Sequence, residues 1–299
     1  MIATPNAHRN AQTLEAAVRG RSLWDDALRR LTRNRAAVAG MVLLGLLFVL
    51  AAVGPYLTPF RYDAVNKADV WAPPLTAGHL LGADALGRDL LARLLMGLRV
   101  SLAIGFVATS VSLLIGVAWG AVAGFVGGAV DEVMMRVVDV LYSLPFIFFV
   151  ILLTVTFGSN IFLIFVAIGA VEWLTMSRIV RGQTLTLKNK EFVEAARAAG
   201  LTQGAIIARH IVPNLLGPVV VYVTLTIPAV ILAESFLSFL GLGVQPPMAS
   251  LGTLIAGGAQ DMELAWWLLV FPSVTMVVTL MCFNFIGDGL RDAIDPKDR

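Results

Sequence analysis

Glu191-Phe192-Val193-Glu194-Ala195-Ala196-Arg197-Ala198-Ala199-Gly200 is led in by Lys188-Asn189-Lys190 and followed, past Thr202, by Arg209-His210-Ile211-Val212-Pro213-Asn214. It is the longest polar interruption in the C-terminal two-thirds of an otherwise apolar chain. Glu191 to Ala199 is made of strong helix formers, with acidic residues in its first turns, where they suit the helix dipole. Gly200 falls where a left-handed cap stops such a helix. Thr202 is placed to cap a second short helix over Gln203 to His210, which must end or bend near Pro213. A helix, a glycine turn and a second helix, hung between two hydrophobic spans, form a knob able to dock in another protein's groove.

The surroundings of that knob are membrane. The chain has 299 residues, of which 58% are hydrophobic and 14% charged, and its mean hydropathy is +0.82. Such a composition marks an integral membrane protein. A net charge of +2 gives no reason to expect a nucleic-acid partner. The single cysteine, Cys282, lies inside a hydrophobic span and leaves no intrachain disulfide to form. The first 35 positions are polar and lack an early apolar core, so no cleaved signal peptide is expected.

Read in order, the segment from Arg9 to Arg35 is basic, and Leu23, Trp24, Ala27, Leu28 and Leu31 recur at helical spacing. An amphipathic helix on the membrane surface is expected there. Ala36 to Leu57 is uncharged and long enough to cross a bilayer. Thr58 to Arg99 is a polar loop. In the uncharged run from Val100 to Val130, Gly116, Gly120 and Gly124 recur at every fourth position, stripping one helix face so that a neighbour can approach closely. Val140 to Val171 is too long for one crossing and turns at Gly158-Ser159-Asn160. The fourth span ends near Arg178 and Arg181. A fifth runs from Leu215 to Phe239 and a sixth from Leu264 to Gly287. Between them the glycines and prolines of 241–263 break any crossing helix, and the segment reads as re-entrant or lying at the outer mouth. Pro145, Pro228 and Pro272 lie inside spans and permit kinks.

The expected plan is therefore all-α, with six transmembrane helices. Residues 1–35 form an N-terminal segment, 36–99 the first span with its outer loop, and 100–299 a core of five more spans. That core carries the inner loop at 179–214 and the re-entrant segment at 241–263. With both termini inside, seventeen of the 22 lysines and arginines fall on the inner side and five on the outer, as positive-inside topology requires. The knob then faces the cytoplasm.

Glu194-Ala195-Ala196, Gly200 and the hydrophobic run closing at Pro213 resemble the EAA loop of ABC importer permeases, although His210 and Val212 replace the usual residues ahead of the proline. Gly82-Ala83-Asp84 with Gly87-Arg88-Asp89, Leu141-Tyr142-Ser143-Leu144-Pro145, Arg178 to Gln183, Glu234 to Gly243 and Phe285 to Asp292 are all similar to the second, C-type permease of dipeptide, oligopeptide and nickel importers. The resemblance covers nearly the whole chain and leans to the oligopeptide branch. It implies a type I ABC importer permease fold in a bacterial inner membrane. It also implies a homologous second permease, two ABC ATPase subunits and a periplasmic peptide-binding protein as partners. ATP and Mg would be held by the ATPases and no cofactor by this chain. Glu191, Glu194, Ala195, Ala196, Arg197, Gly200, His210 and Pro213 would meet the ATPase.

The residues themselves offer no enzyme. No phosphate-binding glycine loop, zinc motif or nucleophile elbow is present, and His8, His79 and His210 are too dispersed to ligate a metal, leaving them solvated or capping roles. Ionisable groups at membrane depth invite a functional reading. Glu172 can line a polar pathway or pair with Arg178. Glu234 can face the cavity or hold the outer gate. Ser143 and Thr226 are further candidates for the pathway. A proton-coupled transporter using Glu172 or Glu234 is the rival from another class, and dipeptides or nickel are the rival cargoes.

Overall fold

The computed structural model describes residues 23–158 and 161–294, so the tail with His8, Arg9, Arg19 and Arg21, the Ser159-Asn160 turn, Lys297 and Arg299 lie outside the described residues. The described chain is all-α, with two isolated bridges and no strand. Its helices are α1 (Leu23–Arg33), α2 (Arg35–Leu57), α3 (Leu90–Val126), α4 (Gly128–Ser143), α5 (Phe146–Phe157), α6 (Ile161–Leu187), α7 (Glu191–Ala198), α8 (Gln203–Ile206), α9 (Val212–Phe239), α10 (Leu251–Gln260) and α11 (Trp267–Ile294). Four are long and apolar enough to cross a membrane: α2, α3, α9 with its lead-in from Gln203, and α11. The pair α4 and α5, bent by 79°, makes a fifth if counted as one broken span.

The bend falls at Pro145. The proline was expected to kink a continuous span; instead the helix stops at Ser143, Leu144 turns extended, and α5 starts afresh at Phe146. Proline disfavours the helical conformation of the residue before it. Pro228 and Pro272, by contrast, stay inside unbroken helices.

α3 begins ten residues before the expected span. Asp89 caps it, accepting from the Ala92 N–H at 2.7 Å, and Arg99 inside it reaches the carbonyls of Ala51 and Ala52 on α2 at 2.8 and 2.6 Å. The charge that argued for a loop is satisfied by a neighbouring helix end. The loop ahead of α3 is exposed or half-buried over most of its length but closes around one histidine. His79 is 1% exposed, stacked on Phe60 and bonded to Asp89 at 2.8 Å, which corrects the solvated role expected of it.

The glycine stripe finds its partner in α6. Gly116 lies against Met176, Gly120 against Ser177 and Val180, and Gly124 against Arg181 and Thr184. A Cβ at Gly120 would run into the Ser177 carbonyl oxygen, so the two backbones meet there. With lipid as apolar as leucine, such close packing is what holds helices together. A second apolar cluster joins α2, α3, α9, α10 and α11 through Leu44, Leu98, Ile231, Leu251 and Phe283. The stripe of α1 expected to lie on the membrane surface also packs on the protein: Ala27 and Leu31 are buried with Ala37 and Ala293.

Candidate functional site: the inner knuckle and its mounting

α7 is amphipathic, and its inward face is small. Val193 and Ala196 are buried against a cluster that includes Phe125, Val180, Ile206, Ile211 and Leu215 from α3, α6 and the segment running into α9. Glu191, Phe192, Glu194, Ala195 and Arg197 remain exposed. One helix therefore shows the bundle two apolar side chains and shows the outside a short acidic and apolar face. The Arg197 guanidinium sits 5.2 Å from the centre of the Phe125 ring, tying the knuckle to the end of α3.

The cap is a Schellman motif. The Leu201 N–H donates to the Ala196 carbonyl at 3.2 Å and the Gly200 N–H to the Arg197 carbonyl at 2.9 Å. Gly200 has φ +79, which a glycine adopts without penalty. Nothing lies within 4 Å of a Cβ added there, so conformation alone selects the residue.

The second arm differs from expectation. Thr202 caps it, accepting from the Ala205 N–H at 3.4 Å, but after Ile206 the helix widens into a π-turn over Ile207–Ile211 and continues into α9. It neither ends nor stops at Pro213, which occupies the first turn of α9. A proline ring collides with the carbonyl four residues earlier in a regular helix, and the wider π-turn opens that spacing. Asn214 adds a side-chain bond to the His210 carbonyl at 2.7 Å. His210 is half-buried and Pro213 exposed on the same arm.

The knuckle stands on a charged mounting. Arg181 of α6 holds Asp131 of α4 through two bonds of 2.6 and 2.7 Å, and the Lys188 ammonium donates to the Gly124 carbonyl at 3.0 Å. Arg178 pairs with Asp139 at 2.7 Å and lies over the Tyr142 ring. This replaces the pairing of Arg178 with Glu172. Glu172 is half-buried and makes no hydrogen bond or ion pair among the described residues.

Glu234 is fully buried, so it does not face an open cavity in this conformation. Its Oε1 accepts from Ser238 at 2.6 Å and from Ser250 at 2.7 Å, and Ser250 caps α10. Ser101 of α3 accepts from the Leu251 N–H at 3.0 Å beside it. The glutamate thereby fastens the start of α10 to α9. Thr226 is buried and bonded back to the Tyr222 carbonyl, and Ser143, exposed, to that of Val140.

Residues 116–299, which contain the knuckle, both arginine–aspartate pairs and Glu234, match the family described as binding-protein-dependent transport system inner membrane component. The chain belongs to that family. Residues 22–74 match the N-terminal TM domain of oligopeptide transport permease C. Among relatives of this transport-system component, the oligopeptide transport system permease protein OppC of Haemophilus influenzae is 54% identical over 286 residues, 95% of this chain and 92% of that one. The Escherichia coli K12 protein of the same name is 54% identical over 97% of this chain and 98% of its own. The dipeptide transport system permease protein DppC of Bacillus subtilis is 45% identical over 93% and 87%. A chain of the inward-facing MetNI methionine ABC transporter shares the fold, with a TM-score of 0.56 at 20% identity over 68% of this chain and 96% of that one.

Within this inner membrane component, reading the sequence overlooked Asp131 with Arg181 as a pair, and Ser101 and Ser250 as partners of the Glu234 region. Opposite charges at the ends of two apolar segments were the one available signal for the first. Hydroxyls in a glycine-rich stretch carry no such mark.

Proposed function

We propose that this chain is the permease subunit of an ABC importer that carries oligopeptides across a bacterial inner membrane, with hydrolysis of ATP, and its Mg, confined to two partner ATPases. Six spans are read by adding α6 to the broken α4–α5 span and the four long apolar helices, with both termini on the cytoplasmic side. A homologous second permease completes the pathway, and a periplasmic binding protein delivers cargo to the outer face. The single observation that carries the reading is the knuckle: a helix fixed to the bundle by Val193 and Ala196, with Glu191, Phe192, Glu194 and Ala195 left uncovered. Identity of 54% with oligopeptide permeases supports the cargo.

ATP-driven closure of the ATPases would move the knuckle as a rigid lever and turn the cavity outward, provided the nucleotide-bound and free partners hold α7 in different positions. Glu172, half-buried and without a hydrogen bond or ion pair among the described residues, is assigned to the pathway together with Thr226 and Ser143. Gly200→Val and Glu194→Lys are expected to leave membrane insertion intact and to uncouple ATP hydrolysis from uptake of a labelled tripeptide in vesicles. Unchanged uptake in both overturns the assignment. The dipeptide permease at 45% identity favours a second cargo, and competition between labelled tripeptide and dipeptide decides between them.

A further inference from the structure

At the outer end of the bundle, the loop entering α3 faces α10 across a cavity of 300 Å³. Arg88, Arg93 and Asp84 line it from the α3 side, and Thr253 and Asp261 come from α10 and its cap. Gly241 and Gly257 also border the cavity, and a Cβ on either would meet nothing within 4 Å, so bare backbone is open to it.

Asp84 has to serve two guanidinium groups. Its Oδ2 lies 2.8 Å from Arg88 Nε and 3.4 Å from Arg93 Nε, while Oδ1 already accepts from the Leu86 and Arg88 N–H groups. Arg93 is 7% exposed, and its Nε makes no hydrogen bond. Its one further contact is a long bond to the Tyr62 carbonyl at 3.4 Å. That Nε is itself sealed from solvent, so a ligand in the cavity would meet this arginine through its terminal nitrogens. Asp261, half-buried, forms no ion pair and no side-chain hydrogen bond among the described residues, so it does not neutralise the arginines. The cavity thus has two arginines sharing one carboxylate on the α3 side and the unpaired Asp261 carboxylate on the α10 side.

We propose that this cavity binds a small zwitterion, a free amino acid or dipeptide, with its carboxylate on Arg88 and Arg93 and its ammonium group on Asp261. Guanidinium groups take a carboxylate through paired, charge-assisted bonds, and the volume suits a ligand at the small end of the range for such sites. The site is built by the loop entering α3, the first turn of α3, and α10 with its cap.

The test uses the full-length protein purified in its native membrane assembly, without any periplasmic binding protein, titrated calorimetrically with dialanine, N-acetyl-dialanine and dialanine amide. Free dialanine is expected to bind, and each blocked form to bind about 10-fold more weakly or worse, the loss of one charged contact. Asp261→Asn is expected to weaken free dialanine by a similar factor, and Asp261→Glu, which keeps the charge, to retain binding. No binding of free dialanine at about 10 mM, equal binding of all three peptides, or indifference to Asp261→Asn overturns the proposal. Because the readout is binding, its failure is distinguishable from a failure of ATP-driven uptake.

Discussion

Arg181 on α6 and Asp131 on α4 lie 50 residues apart in sequence and meet through two bonds of 2.6 and 2.7 Å. The arginine side chain is 36% exposed and the aspartate 13%, so the pair is worth modest energy but fixed geometry. Arg181→Lys keeps the charge and loses the fork. It is expected to cost about 1 kcal/mol or less in thermal stability of the solubilised complex. It should lower the number of peptides carried per ATP more than it lowers stability. A coupling ratio equal to wild type would show that the clamp is only structural.

Gly200 separates conformation from contact. Its φ of +79 penalises side chains while the space around it is empty. Gly200→Asn, which tolerates the left-handed region, should retain most uptake. Gly200→Val should lose about 1–2 kcal/mol locally and uncouple transport. Equal behaviour of the two variants in vesicle uptake would mean that the cap does not set the knuckle's position.

Glu234 and Ser250 form one unit. Ser250→Ala removes both the cap of α10 and a donor to Glu234, and is expected to destabilise the outer segment by about 1–2 kcal/mol. Limited proteolysis in right-side-out vesicles should then cut within 241–250 faster than in the wild type, while insertion is unchanged. An identical cleavage rate would place the stability of that segment elsewhere.

Two glycines in apolar helices make a paired control. Gly120→Ala drives a Cβ into the Ser177 carbonyl and to 2.8 Å from the Val180 Cβ, whereas Gly45→Ala meets nothing within 4 Å. The first is expected to abolish recovery of folded permease. The second is expected to be neutral or to stabilise α2 by about 0.5–1 kcal/mol, since alanine is the better helix former. Detergent-resistant yield by size exclusion measures both.

The knuckle was legible because its signals are local. Acidic residues open α7, small apolar ones back it, and Gly200 ends it, all within ten positions. The glycine stripe was legible as a close approach, though only the fold supplies Met176, Ser177 and Thr184 as what approaches. Long-range satisfaction was not legible. Arg99 looked like loop chemistry until α2 supplied two carbonyls, and His79 looked solvated until Phe60 and Asp89 closed around it. Periodicity says which face is apolar and nothing about which distant charge will come to meet another. Pro145 and Pro213 make the same point for the backbone: one breaks its helix and the other is absorbed by a wider turn, although neither sequence neighbourhood announces the difference.

The widened turn at Ile207–Ile211 is, in helical arithmetic, one surplus residue between the transmembrane rod and the knuckle. A residue advances a regular helix by about 100° of azimuth. The wider turn takes up its extra residue within a single circuit, so removing one amino acid there would heal the bulge and leave α7 near its present azimuth, whereas removing one from the regular helix of α9 would swing the knuckle around the rod's axis by about that angle. The bulge therefore works as a buffer of helical phase, carrying one more residue between rod and knuckle without turning the exposed face.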